Sequence, residues 1–136
     1  MLLDTHVLVW LVQEPERIGA KSHERISQAI ASGDASISAI THWEIGMLFC
    51  KGRLQLGRQP REWLEVVLRE AGISVVPINI GIGVDAGCLP GSIHGDPADR
   101  LVVATARAME MPVITADRAI LDYAAAGHVR AIDARV

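Results

Sequence analysis

The sequence predicts an α/β fold with a mostly parallel sheet, and three observations carry that prediction. Short strand-like runs alternate with longer helical patterns along the chain. The apolar residues are chiefly Ile, Val, Leu and Ala, with 4% aromatics, the mixture expected of buried parallel strands covered by helices. At 136 residues the chain has the common size of one domain. A chain of that length buries roughly two-thirds of its unfolded surface, enough for a substantial core. No repeat, low-complexity stretch or linker interrupts it, so a single domain over 1–136 is expected.

The first strand is predicted at Met1 to Asp4. The apolar run Val7 to Val12 follows as a short buried helix, although periodicity alone leaves a longer strand open. Ile26 and Ile30 share one face of a helix near Ser22 to Ser32, and Gly33 stops it. Ala35 to Ser38 is a second strand. Ala39 to Lys51 reads as a helix with Ile40, Trp43, Met47 and Leu48 on its apolar stripe, ending at Gly52. Pro60 opens another helix at its first turn, where a missing N–H costs nothing. That helix is expected to bury Trp63, Val66 and Val67 and to stop near Gly72. Ile73 to Ile78 is the third strand, and Asn79 to Leu89 a helix weakened by Gly81, Gly83 and Gly87. The loop Pro90 to Gly95 leads into a helix from Pro97 to about Glu110. Val113 to Ala116, Arg118 to Ala125 and Val129 to Ile132 complete the chain as strand, helix and strand.

The formal net charge of −3 excludes a strongly basic protein that coats nucleic acid, but not an enzyme with a local basic rim. Cys50 and Cys88 stand apart from any Cys/His cluster and are expected as buried thiols in a reducing compartment. Met1 to Asp4 already reads as structure, so no signal peptide is expected. The longest apolar run is too short to cross a bilayer. A soluble cytoplasmic protein without a membrane partner is expected.

Acidic residues stand where apolar segments begin or end. Asp4 and Asp117 close strands, and ligands of open α/β sheets sit beyond the carboxyl ends of strands where the winding reverses. If those strands are neighbours, their backbones lie about 4.8 Å apart and the two carboxylates can share a cation. Carboxylates brought so close raise one another's pKa unless a cation neutralises them. Oxygen ligands of this kind suit Mg²⁺ or Mn²⁺. Asp96 precedes Pro97, which places it at a helix cap. Asp99 falls in the first helical turn, free to point at the cluster. Glu44 lies beside Trp43 on an apolar helix. His6, His42 and His94 are left out of the metal set, because neutral imidazole is not the preferred partner of Mg²⁺. Arg100 and Arg118 each follow a cluster acid, so a nearby ion pair is expected for each.

The segments Leu3-Asp4-Thr5-His6, Trp43-Glu44-Ile45, His94-Gly95-Asp96-Pro97-Ala98-Asp99-Arg100 and Thr115-Ala116-Asp117 together resemble the PIN-domain nucleases. Among these the likeness is nearest to the VapC-type toxins of bacterial toxin–antitoxin pairs. The resemblance spans nearly the whole chain and keeps motif order and rough spacing. It implies a three-layer sandwich around a parallel sheet of order 3-2-1-4-5. It also implies a four-acid Mg²⁺ or Mn²⁺ site at Asp4, Glu44, Asp99 and Asp117, supported by Thr115 and with Asp96 at the rim. RNA cleavage by metal-activated water, inhibition by a VapB-type antitoxin and a homodimer complete the implied picture. One departure is Leu48, where many relatives carry a lysine, so no catalytic lysine is expected on that helix.

Lys51, Arg53, Arg58 and Arg61 form an acid-free basic stretch, read as an RNA-tracking rim. The apolar surplus of Trp43, Met47, Leu48, Phe49, Trp63, Val66 and Val67 is read as a groove for an amphipathic antitoxin helix. A haloacid-dehalogenase-type phosphatase would place a second acid two positions after Asp4, where His6 stands. A receiver domain would need paired acids and a terminal lysine, and no P-loop is present. A catalytically silent PIN-fold module that binds RNA or protein is the alternative.

Overall fold

A computed structural model describes residues 1–93 and 96–136. His94 and Gly95, and with them the end of the loop expected at Pro90 to Gly95, lie outside the described residues. Five parallel strands run β1 (Leu2–Leu3), β2 (Ser36–Ser38), β3 (Ser74–Val76), β4 (Val113–Thr115) and β5 (Ala131–Asp133), ordered β3-β2-β1-β4-β5. Among the described residues, seven α-helices cover the sheet: α1 (Thr5–Gln13), α2 (Ala20–Ala31), α3 (Ile40–Cys50), α4 (Pro60–Ala71), α5 (Ile80–Gly87), α6 (Pro97–Ala108) and α7 (Arg118–Ala125).

Strand alternation divides the core. Leu3, Ile37 and Ile114 face one cluster, which holds Val7 and Leu8 of α1, Ile26 of α2, Ile45 of α3 and Trp63 of α4. Leu2 and Val113 face the other, packed by Ile82 of α5, Val102 and Val103 of α6, and Ile120 of α7. Burial of both sheet faces makes the strands read as continuous apolar runs.

Several element limits differ from expectation for local reasons. Helix α1 starts at Thr5 because the Asp4 side chain accepts the Thr5 N–H at 2.8 Å. Strand β3 ends at Val76 because Pro77, next in the chain, has no N–H for the ladder. Helix α4 ends at Gly72, whose φ of 67° is a left-handed cap that glycine adopts freely.

The apolar stripe expected on α3 is corrected. Thr41 and Ile45 are the buried residues of this helix, while Trp43 is 58% exposed. A helix hydrophobic on several sides does not declare its inner face, and a partnered threonine hydroxyl won the interior position. On α4, Trp63 and Leu64 are buried and Val66 and Val67 only half-buried. Cys50 and Cys88 are free thiols but exposed, not buried. No helix among the described residues is long and apolar enough to cross a membrane.

Candidate active site

Strands β1 and β4 are hydrogen-bonded neighbours, with Leu2 opposite Val113 and Leu3 opposite Ile114. The winding reverses between them: β2 and β3 lie to one side and β5 to the other. Both carboxyl ends carry an acid that begins a helix, Asp4 before α1 and Asp117 before α7. Asp96 caps α6, accepting the Asp99 N–H at 2.9 Å, as its place before Pro97 predicted.

Asp4 is buried, at 3% exposure. Its Oδ1 accepts the Thr5 N–H, and its Oδ2 accepts the Thr115 hydroxyl at 2.6 Å. Thr115 Oγ1 in turn accepts the Asp117 N–H at 2.9 Å, so one buried hydroxyl links the first acid to the last. Asp117 uses Oδ1 to accept the Ile120 N–H at 3.0 Å. Glu44 projects from α3 and receives the Thr5 hydroxyl on Oε1 at 2.6 Å.

The acids act on one another. Glu44 is raised from 4.5 to about 7, first by burial and then by the charges of Asp4 and Asp96, against the Thr5 hydrogen bond that lowers it. Asp99 is raised from 3.8 to about 7 by burial and by the charges of Asp96, Asp117, Asp4 and Glu44. Whichever of the two ionises first opposes the other. No Lys or Arg pairs with Asp4, Glu44, Asp99 or Asp117 among the described residues. Nor do three His, Cys, Asp or Glu side chains there close into a direct ligand set, so the acids meet through their fields rather than by contact. An all-oxygen group of uncompensated acids fits a hard divalent cation that keeps some of its waters. Helix amino termini at Asp4, Asp96 and Asp117 favour negative charge but supply no counter-ion.

Three residues acquire duties that the sequence did not assign. Thr5 and Thr41, both buried, sit behind Glu44 with their hydroxyl oxygens 2.9 Å apart. His6 Nε2 accepts the Ala116 N–H at 2.9 Å, which fixes the proton on Nδ1, 3.6 Å from Asp4 Oδ2. A hydroxyl directly after a capping acid at a strand–helix junction is the signal that marks Thr5. Nothing local marks the other two.

Of the nearby ion pairs expected for the two arginines, Arg118 makes one and Arg100 makes none among the described residues. Arg100 donates to the carbonyls of Ala86 and Ile93, tying the end of α5 to α6. Arg118 pairs with Asp122, one turn along α7. In the basic stretch, Arg58 pairs with Glu62 and Arg61 with Glu65, while Lys51 and Arg53 are exposed.

A family model described as the PIN domain matches residues 1–126. The chain belongs to the PIN-domain family. This PIN domain is 32% identical over 123 residues to Ribonuclease VapC22 of Mycobacterium tuberculosis, covering 90% of this chain and 91% of that protein. Its fold matches that of a chain in the crystal structure of VapBC2 from Rickettsia felis bound to a promoter DNA fragment. The TM-score is 0.68 at 16% identity, over 96% of each chain. A chain in the structure of FitAB bound to a DNA fragment aligns with TM-score 0.56 and 20% identity, over 99% of this chain and 95% of that one. The sheet order that the motifs implied is the order observed. Nucleases of this family depend in general on a divalent metal, and this PIN domain is a homologue of the VapC ribonucleases.

Proposed function

We propose that this PIN domain is a divalent-metal-dependent endoribonuclease, the toxin of a VapBC-type pair, acting as one domain over 1–136 in the cytoplasm. One observation supports the reading: Asp4 and Asp117 follow the neighbouring strands β1 and β4, the charges of both raise Asp99, and that of Asp4 raises Glu44, with no Lys or Arg paired to the four among the described residues. Partly buried acids of one sign without a partner are unfavourable for a fold alone and fit a site completed by a cation.

Asp4 and Asp99 would hold a Mg²⁺ ion, or Mn²⁺ in its place, with Glu44 and Asp117 engaging it through water or holding a second ion. Bound there, the cation supplies an acidified water as nucleophile and neutralises charge on the phosphate and the leaving 3′ oxygen. Thr115 keeps Asp4 oriented, since its hydroxyl donates to Oδ2. Lys51 and Arg53, exposed beyond α3, steer the RNA backbone, with Arg58 and Arg61 contributing once released from Glu62 and Glu65. A VapB-type antitoxin helix would dock beside α4, where a hollow of 400 Å³ is lined by Leu64, Leu68 and Val75 with Arg61 and Glu65, rather than by the residues expected to form the groove. Support for that partner is the VapC homology together with the apolar lining. The homodimer belongs to the same proposal.

Asp4→Asn keeps shape and removes charge. The variant is expected to fold, to lose Mg²⁺-dependent cleavage of total RNA by more than about a hundredfold, and to match the parent protein in EDTA. Substantial Mg²⁺-dependent cleavage by the variant would count against the site. Divalent binding by the parent without RNA cleavage would favour the silent module.

A further inference from the structure

We infer that Thr5 is a positioning residue that sets the separation of the Asp4 and Glu44 carboxylates, with Thr41 orienting its hydroxyl from behind. The inference rests on reading those acids as part of a cation site.

Thr5 is buried at 3% exposure and Thr41 at 0%, so neither hydroxyl is satisfied by solvent. The Thr5 hydroxyl has one proton and two lone pairs. Its oxygen lies 2.6 Å from Glu44 Oε1 and 2.9 Å from Thr41 Oγ1. An ionised carboxylate has no proton to give, so Thr5 donates to Glu44 and Thr41 donates to Thr5. The shorter separation is that of a charge-assisted O–H···O⁻ bond. Thr41 precedes Glu44 by three residues on α3, and residues at that spacing share a helix face. One hydroxyl of α1 therefore meets α3 at two points along the same face.

The Thr5 main-chain N–H meanwhile holds Asp4 Oδ1 at 2.8 Å. A single residue thus fixes one oxygen of the first acid and one of the second. Glu44 Oε2 and the second lone pairs of the Asp4 oxygens remain for other partners. Without the hydroxyl, Glu44 is free to rotate away from Asp4, and α3 loses its polar link to α1. Outer partners that orient ligating groups are worth about 10–100-fold in metal affinity.

Mn²⁺ binding to the whole metal-stripped chain, measured by titration calorimetry, tests this. Thr5→Val keeps shape and removes the hydroxyl; it is expected to weaken Mn²⁺ binding at least about tenfold. Thr5→Ser keeps the hydroxyl and is expected to stay within about threefold of the parent, a rescue that simple packing does not predict. Thr5→Ala repeats the deletion with a different packing error. Parental affinity in both deletion variants, or an equal loss in Thr5→Ser, overturns the inference. So does failure of both deletions to fold beside a folded Thr5→Ser, since the hydroxyl would then serve stability. Asp4→Asn separates the two levels. If it binds Mn²⁺ like the parent, the cation-site reading itself fails; if it loses binding while Thr5→Val does not, only the positioning role falls.

Discussion

Asp4, Asp96 and Asp117 each stand ahead of a helix, and the use of their oxygens distinguishes them. All three accept a main-chain N–H on Oδ1, so capping accounts for one oxygen of each. Capping and metal binding are therefore compatible at Asp4 and Asp117: Thr115 also holds Asp4, and both acids press on the ionisation of Asp99. Raised pKa values have a consequence for stability. Glu44 and Asp99 ordinarily titrate at 4.5 and 3.8 and are lifted to about 7 in the fold. A group that holds its proton more tightly when folded adds stability below its unfolded pKa, and loses that contribution as pH rises through the folded value. Metal-free protein in EDTA is thus expected to lose melting temperature steadily between about pH 4 and about pH 7. Asp99→Asn should flatten that decline, while Mn²⁺ binding to the parent should strengthen as pH rises through about 7. Parallel melting curves for parent and Asp99→Asn across this window would remove the electrostatic account of the site.

Helix ends carry the next set of consequences, because α1, α6 and α7 each begin on an aspartate of the acid cluster or its rim. Asp96 is the simplest of these: exposed, with its one cap bond to Asp99 N–H. Asp96→Ala is expected to cost about 1 kcal/mol in urea unfolding, with a fall of roughly 3–5 °C in melting temperature. Asp96→Asn, which can still cap, should recover most of it; equal losses in both would deny the cap. This cap was legible in sequence because its partner lies three residues away and Pro97 fixes the first helical turn. The alternation of strands and helices was legible for a related reason, since periodicity is local. What escaped was the inner face of α3, where Thr41 was chosen by a hydroxyl of α1 that is 36 residues distant. His6 escaped likewise, its partner Ala116 lying 110 positions away. Neither pairing leaves any pattern along the chain. Among the acids, Asp4, Glu44, Asp99 and Asp117 could be picked out only together, from motif order, because each alone reads as a cap or a surface charge.

Across the whole molecule, a net charge of −3 and a partly buried cluster of acids work against an RNA polyanion. Binding then depends on where the cations are. Arg58 and Arg61 are engaged by Glu62 and Glu65, and exposed pairs of this kind are worth little, so RNA phosphates can compete for both arginines. Lys51 and Arg53 lie at and just beyond the end of α3, the helix that carries Glu44, and neither forms an ion pair among the described residues. Each phosphate contact to a single strand contributes about 0.7 to the slope of log affinity against log salt. Removing two such contacts by Lys51→Glu with Arg53→Glu, in an Asp4→Asn background that spares the RNA, should flatten that slope by about 1.4. Affinity should fall more at low salt than at high salt, because the lost attraction is the part that salt screens. A control reversal of Lys21 and Arg25 on α2, exposed on a helix remote in sequence from every cluster acid, should leave the slope unchanged. If both pairs change the slope equally, RNA is held by diffuse charge over the surface. If neither does, the phosphates run elsewhere, and the segment between α3 and α4 is an ordinary helix connection.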